Sequence, residues 1–164
     1  MKLGHEFFNR SSVLVAKDLL GMYLVRDEIR YIIVETEGYE GPEDKASHAS
    51  RGRTPRNTPM FGEPGTIYVY FTYGMHWMLN IVCGRKDHPA AVLIRGVRGC
   101  IGPGRLTKKL GIDKVLNGKM LGKKTRLWIE EGERIGKVRR TPRIGVASAG
   151  PTWSKKLYRF VLEG

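Results

Sequence analysis

Residues 68–80, Tyr-Val-Tyr-Phe-Thr-Tyr-Gly-Met-His-Trp-Met-Leu-Asn, constrain the fold of this chain more than any other stretch. Two aromatic, strand-prone runs flank Tyr73-Gly74-Met75. This pattern predicts a β-hairpin over 67–73 and 77–83 with a large tyrosine at its protruding tip. A ring at such a tip ends either in a core or in a partner, and the charge of the chain indicates which partner to expect. The net charge is +13. Residues 1–94 hold 11 Lys/Arg against 11 Asp/Glu, whereas residues 95–164 hold 18 against 5. The whole excess therefore lies in the C-terminal part, which favours a phosphate-rich partner over a merely solubilised surface. An aromatic wedge on a basic protein suits the filling of a gap in a DNA stack after a base has been flipped out.

A length of 164 residues with 41% apolar content fits one globular domain with a real core. No apolar run reaches membrane-spanning length, and Met1 to Glu6 carry no signal-peptide core. The expectation is a cytoplasmic, nucleoid-associated chain, nuclear in a eukaryote, with no membrane partner. Cys83 and Cys100 lack Cys-x-x-Cys spacing and are expected to be free thiols.

Ser11 or Ser12 can cap a short helix from Val13 to Leu20, stopped by Gly21. Met22 to Arg26 and Ile29 to Glu37 form a second predicted hairpin around Asp27-Glu28. Residues 38–65 are rich in Gly, Pro, Asn, Ser and charge, a long irregular segment of the kind that usually carries function. Ala90 to Arg95 is a further strand. Gly102-Pro103-Gly104 opens a helix, Arg105 to Leu110, closed by Gly111. Lys124 to Glu130 and Leu157 to Leu162 close the fold as strands. Strands joined by hairpins dominate, which predicts a single α+β domain (residues 1–164) with a curved, mostly antiparallel sheet and short helices.

Alternation along Tyr31-Ile32-Ile33-Val34-Glu35-Thr36-Glu37 places both carboxylates on one strand face and Val34 and Thr36 on the other. Such a pair suits general-base activation of a water, and equally suits salt bridges to the basic half. No nucleophile elbow, Walker loop or dinucleotide fingerprint occurs, and four scattered histidines without a zinc-type cluster argue against a metal hydrolase. Tyr39, Tyr68, Tyr70 and Tyr73 bracket the glutamates and the hairpin. With Asn80 and Arg95 on adjacent strands they could form a stacking pocket with polar discriminators. Arg51, Arg53 and Arg56 punctuate the irregular loop as candidate phosphate contacts. The N–H groups after Gly102-Pro103-Gly104 could hold a phosphate.

These blocks together resemble the alkyladenine (3-methylpurine) DNA glycosylase family. The likeness runs from Leu3-Gly4-His5-Glu6-Phe7-Phe8 to Leu157-Tyr158-Arg159-Phe160. Its most specific parts are Ile33-Val34-Glu35-Thr36-Glu37-Gly38-Tyr39, Gly41 to His48, Thr54 to Phe61 and Gly65 to Met75. Asn80, Arg95 and Gly102-Pro103-Gly104-Arg105-Leu106 complete the series.

The resemblance implies a monofunctional base-excision-repair glycosylase and no metal, organic cofactor or Schiff-base lysine. Such an enzyme flips alkylated purines, with deaminated or etheno purines as further candidates, and hydrolyses the N-glycosidic bond with water. It implies Glu37 as general base, Glu35 as a structural acid and Arg95 as a water-positioning group. Tyr39, His48 and Tyr70 would enclose the base, Asn80 would discourage guanine, and Tyr73 would enter the DNA from the minor groove. Arg51, Arg56, Tyr68, Met75 and Arg105 are candidate contacts to the DNA backbone. The partner implied is double-stranded DNA carrying a damaged purine, with the protein a monomer and no obligate protein partner. Only six residues, Gly96 to Ile101, separate Arg95 from Gly102, where family members carry a longer, partly helical segment. A non-catalytic nucleic-acid-binding module would explain the charge but gives no reason to hold an acid beside an aromatic pocket. An RNA-acting enzyme would favour duplexes bearing 2′-hydroxyls.

Overall fold

The computed structural model describes residues 1–134 and 136–164. It is a mixed α+β fold built on a curled antiparallel sheet with four short α-helices among the described residues, the first being α1 (His5–Phe8). The axis is β2 (Ile29–Tyr39), eleven residues long. Its first part pairs with β1 (Tyr23–Arg26) around Asp27 and Glu28, both at positive φ (51° and 70°). That backbone matches the twist of the flanking strands, as tight hairpins require. Its second part pairs with β5 (Ala90–Val97) along one edge and β9 (Arg159–Glu163) along the other. The register against β5 slips between Ile33 and Glu35 and again between Glu35 and Thr36. Irregularities of this kind bend a strand and re-aim its side chains.

Beyond β5 lie β4 (His76–Cys83) and β3 (Ile67–Thr72), joined through Tyr73-Gly74-Met75; beyond β1 lies β7 (Leu127–Glu130). A two-residue strand β6 (Cys100–Ile101) folds back on β5, and β8 (Lys137–Thr141) pairs with β9. The sequence reading does not contain these last two. β6 is very short, and Lys-Val-Arg-Arg-Thr has little apolar alternation, because β8 is a mostly exposed, basic strand. The reading starts the next-to-last strand at Lys124, but Lys123 to Arg126 form a turn that leads into β7 at Leu127.

Period-two alternation divides the sheet into two faces with different tasks. Ile67, Val69, Leu79, Ile81, Val92, Ile94 and Phe160 join the main core, with Val15, Ala16, Leu19 and Leu20 from and around α2 (Ser12–Asp18) and Leu106 and Leu110 from α3 (Pro103–Leu110). Residues one step out of phase, Tyr68, Val82 and Ala91, form a smaller cluster with Ala49 and Met60 from the long loop. The register extends this second face across the sheet. Tyr68 lies opposite Asn80, Tyr70 opposite Met78, Leu93 opposite both Asn80 and Glu37, and Ala91 opposite Tyr39. The face that is not core is therefore lined with polar and aromatic side chains in a continuous cross-strand row.

Helix α2 begins one residue before the predicted start, and neither serine caps it in the usual way. The Ser11 and Ser12 hydroxyls and the Ser12 N–H all donate to the Glu40 carboxylate, just beyond β2. A long-range acid thus takes the place of the local cap and ties the helix to the strand. On the core side the Thr36 hydroxyl donates to the Ala16 carbonyl at 2.7 Å. Thr36→Val should leave that buried carbonyl without its partner and cost about 1–3 kcal/mol, read as a lower urea midpoint at unchanged slope.

Candidate active site

The polar face of the sheet opens into a cleft of about 450 Å³. The long loop closes one side through Ser47, His48 and Met60. The turn and β4 close another through Tyr73, His76 and Met78. The start of α3 contributes Gly102 to Arg105, and the segment after β8 contributes Ile144 to Val146.

Glu37 of β2 is fully buried directly behind Tyr39, Arg95 and Ile144, which line this cleft. One carboxylate oxygen, Oε1, accepts from the Tyr39 hydroxyl at 3.0 Å and lies 3.5 Å from Nη1 of Arg95. The other, Oε2, accepts from the backbone N–H of Ile144 at 2.6 Å. Burial pushes the Glu37 carboxyl above its ordinary range. The Arg95 charge, the Ile144 N–H, the Tyr39 hydroxyl and the Arg143 charge pull the other way without cancelling it. Glu35 has a different environment. Its Oε2 accepts from Nε of Arg95 and Nε of Arg159, both at 2.9 Å, so two guanidinium groups engage this acid. Alternation correctly places both acids on one face. Their surroundings then separate them into a held ion-pair partner and a carboxylate bonded to residues that line the cleft.

The aromatic groups converge as a cluster. The His48 ring lies 4.2 Å from that of Tyr70, and Tyr70 lies 5.4 Å from Tyr68. Nδ1 of His48 is 3.2 Å from the Tyr68 hydroxyl. Burial, with a further push from Arg56, lowers the His48 pKa and keeps the ring neutral. Burial raises the Tyr68 hydroxyl to about 12, and it pushes the Tyr39 and Tyr70 hydroxyls up as well, with help from the neighbouring Glu37. All three phenols are therefore neutral donors. Asn80 is buried at the floor, where its amide N–H group faces the carbonyls of Tyr68 and Met78 at 3.4 Å.

The remaining predicted residues fall in three places. Tyr73 (83% exposed) and Met75 occupy the turn, and Tyr73 also lines the cleft mouth. Arg105 is exposed at the first turn of α3 and lines the cleft as well. Arg56 donates to the Phe71 carbonyl and lies 5.8 Å from the Tyr70 ring, so it braces the hairpin. Arg51 is exposed on the loop. Tyr68 is buried at 1% exposure with its hydroxyl on His48, so its side chain forms a wall of the cleft rather than part of the outer surface.

Sequence reasoning misses Ile144, Arg143 and Asp44 as parts of the site. Ile144 acts through its backbone, which no side-chain pattern reveals, and Arg143 is one arginine among many in the basic half. Asp44 stands inside the Gly41–His48 block that carried the resemblance, and that was its only signal.

Cys83 and Cys100 are both free. No helix among the described residues is long and apolar enough to cross a membrane.

A buried acid under an aromatic, base-sized cleft, on a strongly basic chain, defines an enzyme-like site rather than a plain binding face. The family model described as Methylpurine-DNA glycosylase (MPG) matches residues 6–101 and 97–164. The chain is 41% identical to a Methanocella arvoryzae protein over 90% of this chain and 86% of that one. It is 42% identical to an Anaeromyxobacter dehalogenans protein over 100% and 84%. Both carry the name “Putative 3-methyladenine DNA glycosylase”. A Mus musculus protein named DNA-3-methyladenine glycosylase is 36% identical over 99% of this chain and 60% of its own length. The chain belongs to the methylpurine-DNA glycosylase family, whose members are hydrolases acting on N-glycosyl bonds. The two matched stretches meet at residues 97–101, where β5 turns into β6 through only Arg98 and Gly99.

His48 supplies a direct check on the electrostatics of the cleft. Its ring should titrate below the ordinary histidine value of 6.5, measured from the pH dependence of its ring NMR shifts. A midpoint at or above that value would show that the cleft does not desolvate it.

Proposed function

We propose that this protein is a monofunctional DNA glycosylase that removes alkylated purines from double-stranded DNA by hydrolysis. The observation that carries the reading is Glu37, a fully buried carboxylate held directly behind the cleft residues Tyr39, Arg95 and Ile144. Carboxylates avoid burial unless they are compensated. Near a phosphate backbone such a group also repels its substrate, so a use for it is needed.

In this reading a damaged purine turns out of the stack and lodges between Tyr39, His48 and Tyr70, while Tyr73 occupies the vacated space. Glu37 takes a proton from water, the hydroxyl adds to C1′ of the sugar, and the C1′–N bond breaks. Its electron pair leaves with the base, and an abasic site remains. Alkylation puts positive charge on the purine, so the leaving base becomes neutral and departs easily. The aromatic walls favour a cationic ring by roughly 0.5–2 kcal/mol. Weakened stacking and pairing of a damaged base makes its extrusion cheaper by a few kcal/mol. Asn80 at the floor would clash with the 2-amino group of guanine. Neutral lesions such as hypoxanthine and ethenoadenine need more help at the leaving group and should react more slowly. The chemistry requires one protein copy and places it wherever DNA is.

Glu37→Gln should abolish base release from a duplex carrying a 3-methyladenine-type lesion, while lesion binding persists. The wild-type rate should fall as pH drops through a midpoint above the ordinary carboxylate range, because only ionised Glu37 accepts the proton. Alkali cleavage of the abasic product measures both, and release by Glu37→Gln at the wild-type rate would remove this residue from the mechanism. Tyr73→Ala should lower affinity for lesion DNA about tenfold or more, since an intercalating ring offsets a few kcal/mol of unstacking. Affinity for undamaged DNA should change less. Equal losses on both duplexes, compared by titration, would show that the ring is not a wedge.

A further inference from the structure

Arg143 lies in the irregular segment between β8 and α4 (Gly150–Trp153), and its side chain is completely buried. Its Nη1 and Nη2 engage both carboxylate oxygens of Asp44 at 2.5 and 3.0 Å, and Asp44 is equally buried. The guanidinium also donates to the Gly38 carbonyl at 2.9 Å and the Trp153 carbonyl at 3.2 Å. It sits 4.8 Å from the ring of Tyr39 and 5.0 Å from that of Tyr158. Asp44 in turn accepts from the N–H groups of Glu40 and Ala46. One side chain thus joins the end of β2, the loop that carries His48 and the C-terminal segment.

The next residue is Ile144, whose N–H reaches Glu37. Its side chain is half exposed, so it cannot anchor the backbone by packing into the core. Arg143 supplies the missing anchor. We infer that Arg143, held by Asp44, is a positioning residue that fixes the Ile144 N–H on Oε2 of Glu37 and so sets the hydrogen bonding of the reactive carboxylate. This rests on the reading of Glu37 as general base. Burying an ion pair in itself does little for stability compared with an apolar replacement, so a role in the site gives the pair its purpose.

The carboxylate is faced by Arg95 of β5, Tyr39 of its own strand, Tyr70 of β3 and Arg143 itself, and His48 of the loop packs on Tyr70. Glu35 and Arg159 stand one step away. Loss of the Ile144 N–H and loss of the Arg143 charge act in the same direction. Each leaves the charged carboxylate less favoured, so the pH below which activity fails moves up.

The test is single-turnover base release against pH for wild type, Arg143→Lys and the paired change Arg143→Met with Asp44→Leu, and Glu37→Gln is the control. Arg143→Lys keeps the charge but loses the fork, and the paired change leaves no buried charge without a partner. Lesion-duplex binding reports the folded fraction. The expected result is lesion binding near the wild-type level, a release rate lower by about 10- to 100-fold as expected of a slightly misplaced group, and an acid limb shifted to higher pH. The shift should be larger for the paired change. An acid limb that stays in place, with losses matching the folded fraction, would overturn the inference. So would failure of both variants to fold, which would assign the pair to stability alone. Release by Glu37→Gln would instead overturn the general-base reading, a result distinguishable in the same experiment.

Discussion

Two carboxylates buried two residues apart on one strand set the terms for everything around them. Glu35 and Glu37 leave β2 on the same face, and each must be compensated by groups that the fold brings from far along the chain. Arg95 comes from β5 and Arg159 from β9, the two strands that flank β2 at this level. The pairing of both neighbours to the same three-residue stretch is therefore an electrostatic requirement as well as a backbone one. The register slips around Glu35 belong to the same requirement, since they re-aim side chains at the point where two guanidinium groups meet one acid.

The division of labour between the acids follows from what each receives. Glu35 takes two guanidinium Nε groups on a single oxygen. Glu37 takes a phenol on one oxygen and a backbone N–H on the other, with the Arg95 charge at ion-pair rather than hydrogen-bond distance. The first set commits its carboxylate to two charge-assisted hydrogen bonds. The second leaves it in balance, with burial the larger influence. A proton acceptor needs that balance, because a carboxylate that is too strongly stabilised is a poor base.

How much of this was legible in the sequence depends on the range of the interaction. Alternation in Tyr31 to Glu37 placed both acids on one face, and the Asp27-Glu28 turn fixed the hairpin before them, because both are local effects of strand geometry. The Tyr68, Tyr70, Asn80 and Arg95 row was legible for the same reason once neighbouring strands were assumed. The helix cap was not legible, because Glu40 replaces Ser11 as the acceptor across 28 residues. Nor was the role of Tyr68, whose hydroxyl finds His48 twenty residues away, or the service of Ile144, whose side chain plays no part. Strand β8 escaped because its exposed basic residues carry no apolar period.

The turn at Tyr73 shows how the fold supports an exposed residue at a hairpin tip. Tyr73 and Gly74 both adopt positive φ, 52° and 66°, between Thr72 and His76, which face each other across the hairpin. For tyrosine that backbone costs on the order of 1 kcal/mol, a strain that persists only where the surroundings impose it. They do so from the far strand. The Thr107 hydroxyl of α3 donates to the Trp77 carbonyl at 2.8 Å, and the His76 ring lies so close to Gly104 that a Cβ there would come within 2.5 Å of it. Glycine at 104 is thus required by the close approach of helix and hairpin. The Arg56 side chain secures the near strand at the Phe71 carbonyl. With both strands braced, the turn needs no packing of its own at the tip. A large aromatic side chain can remain solvent-facing at the mouth of the cleft, which the first turn of α3 also lines.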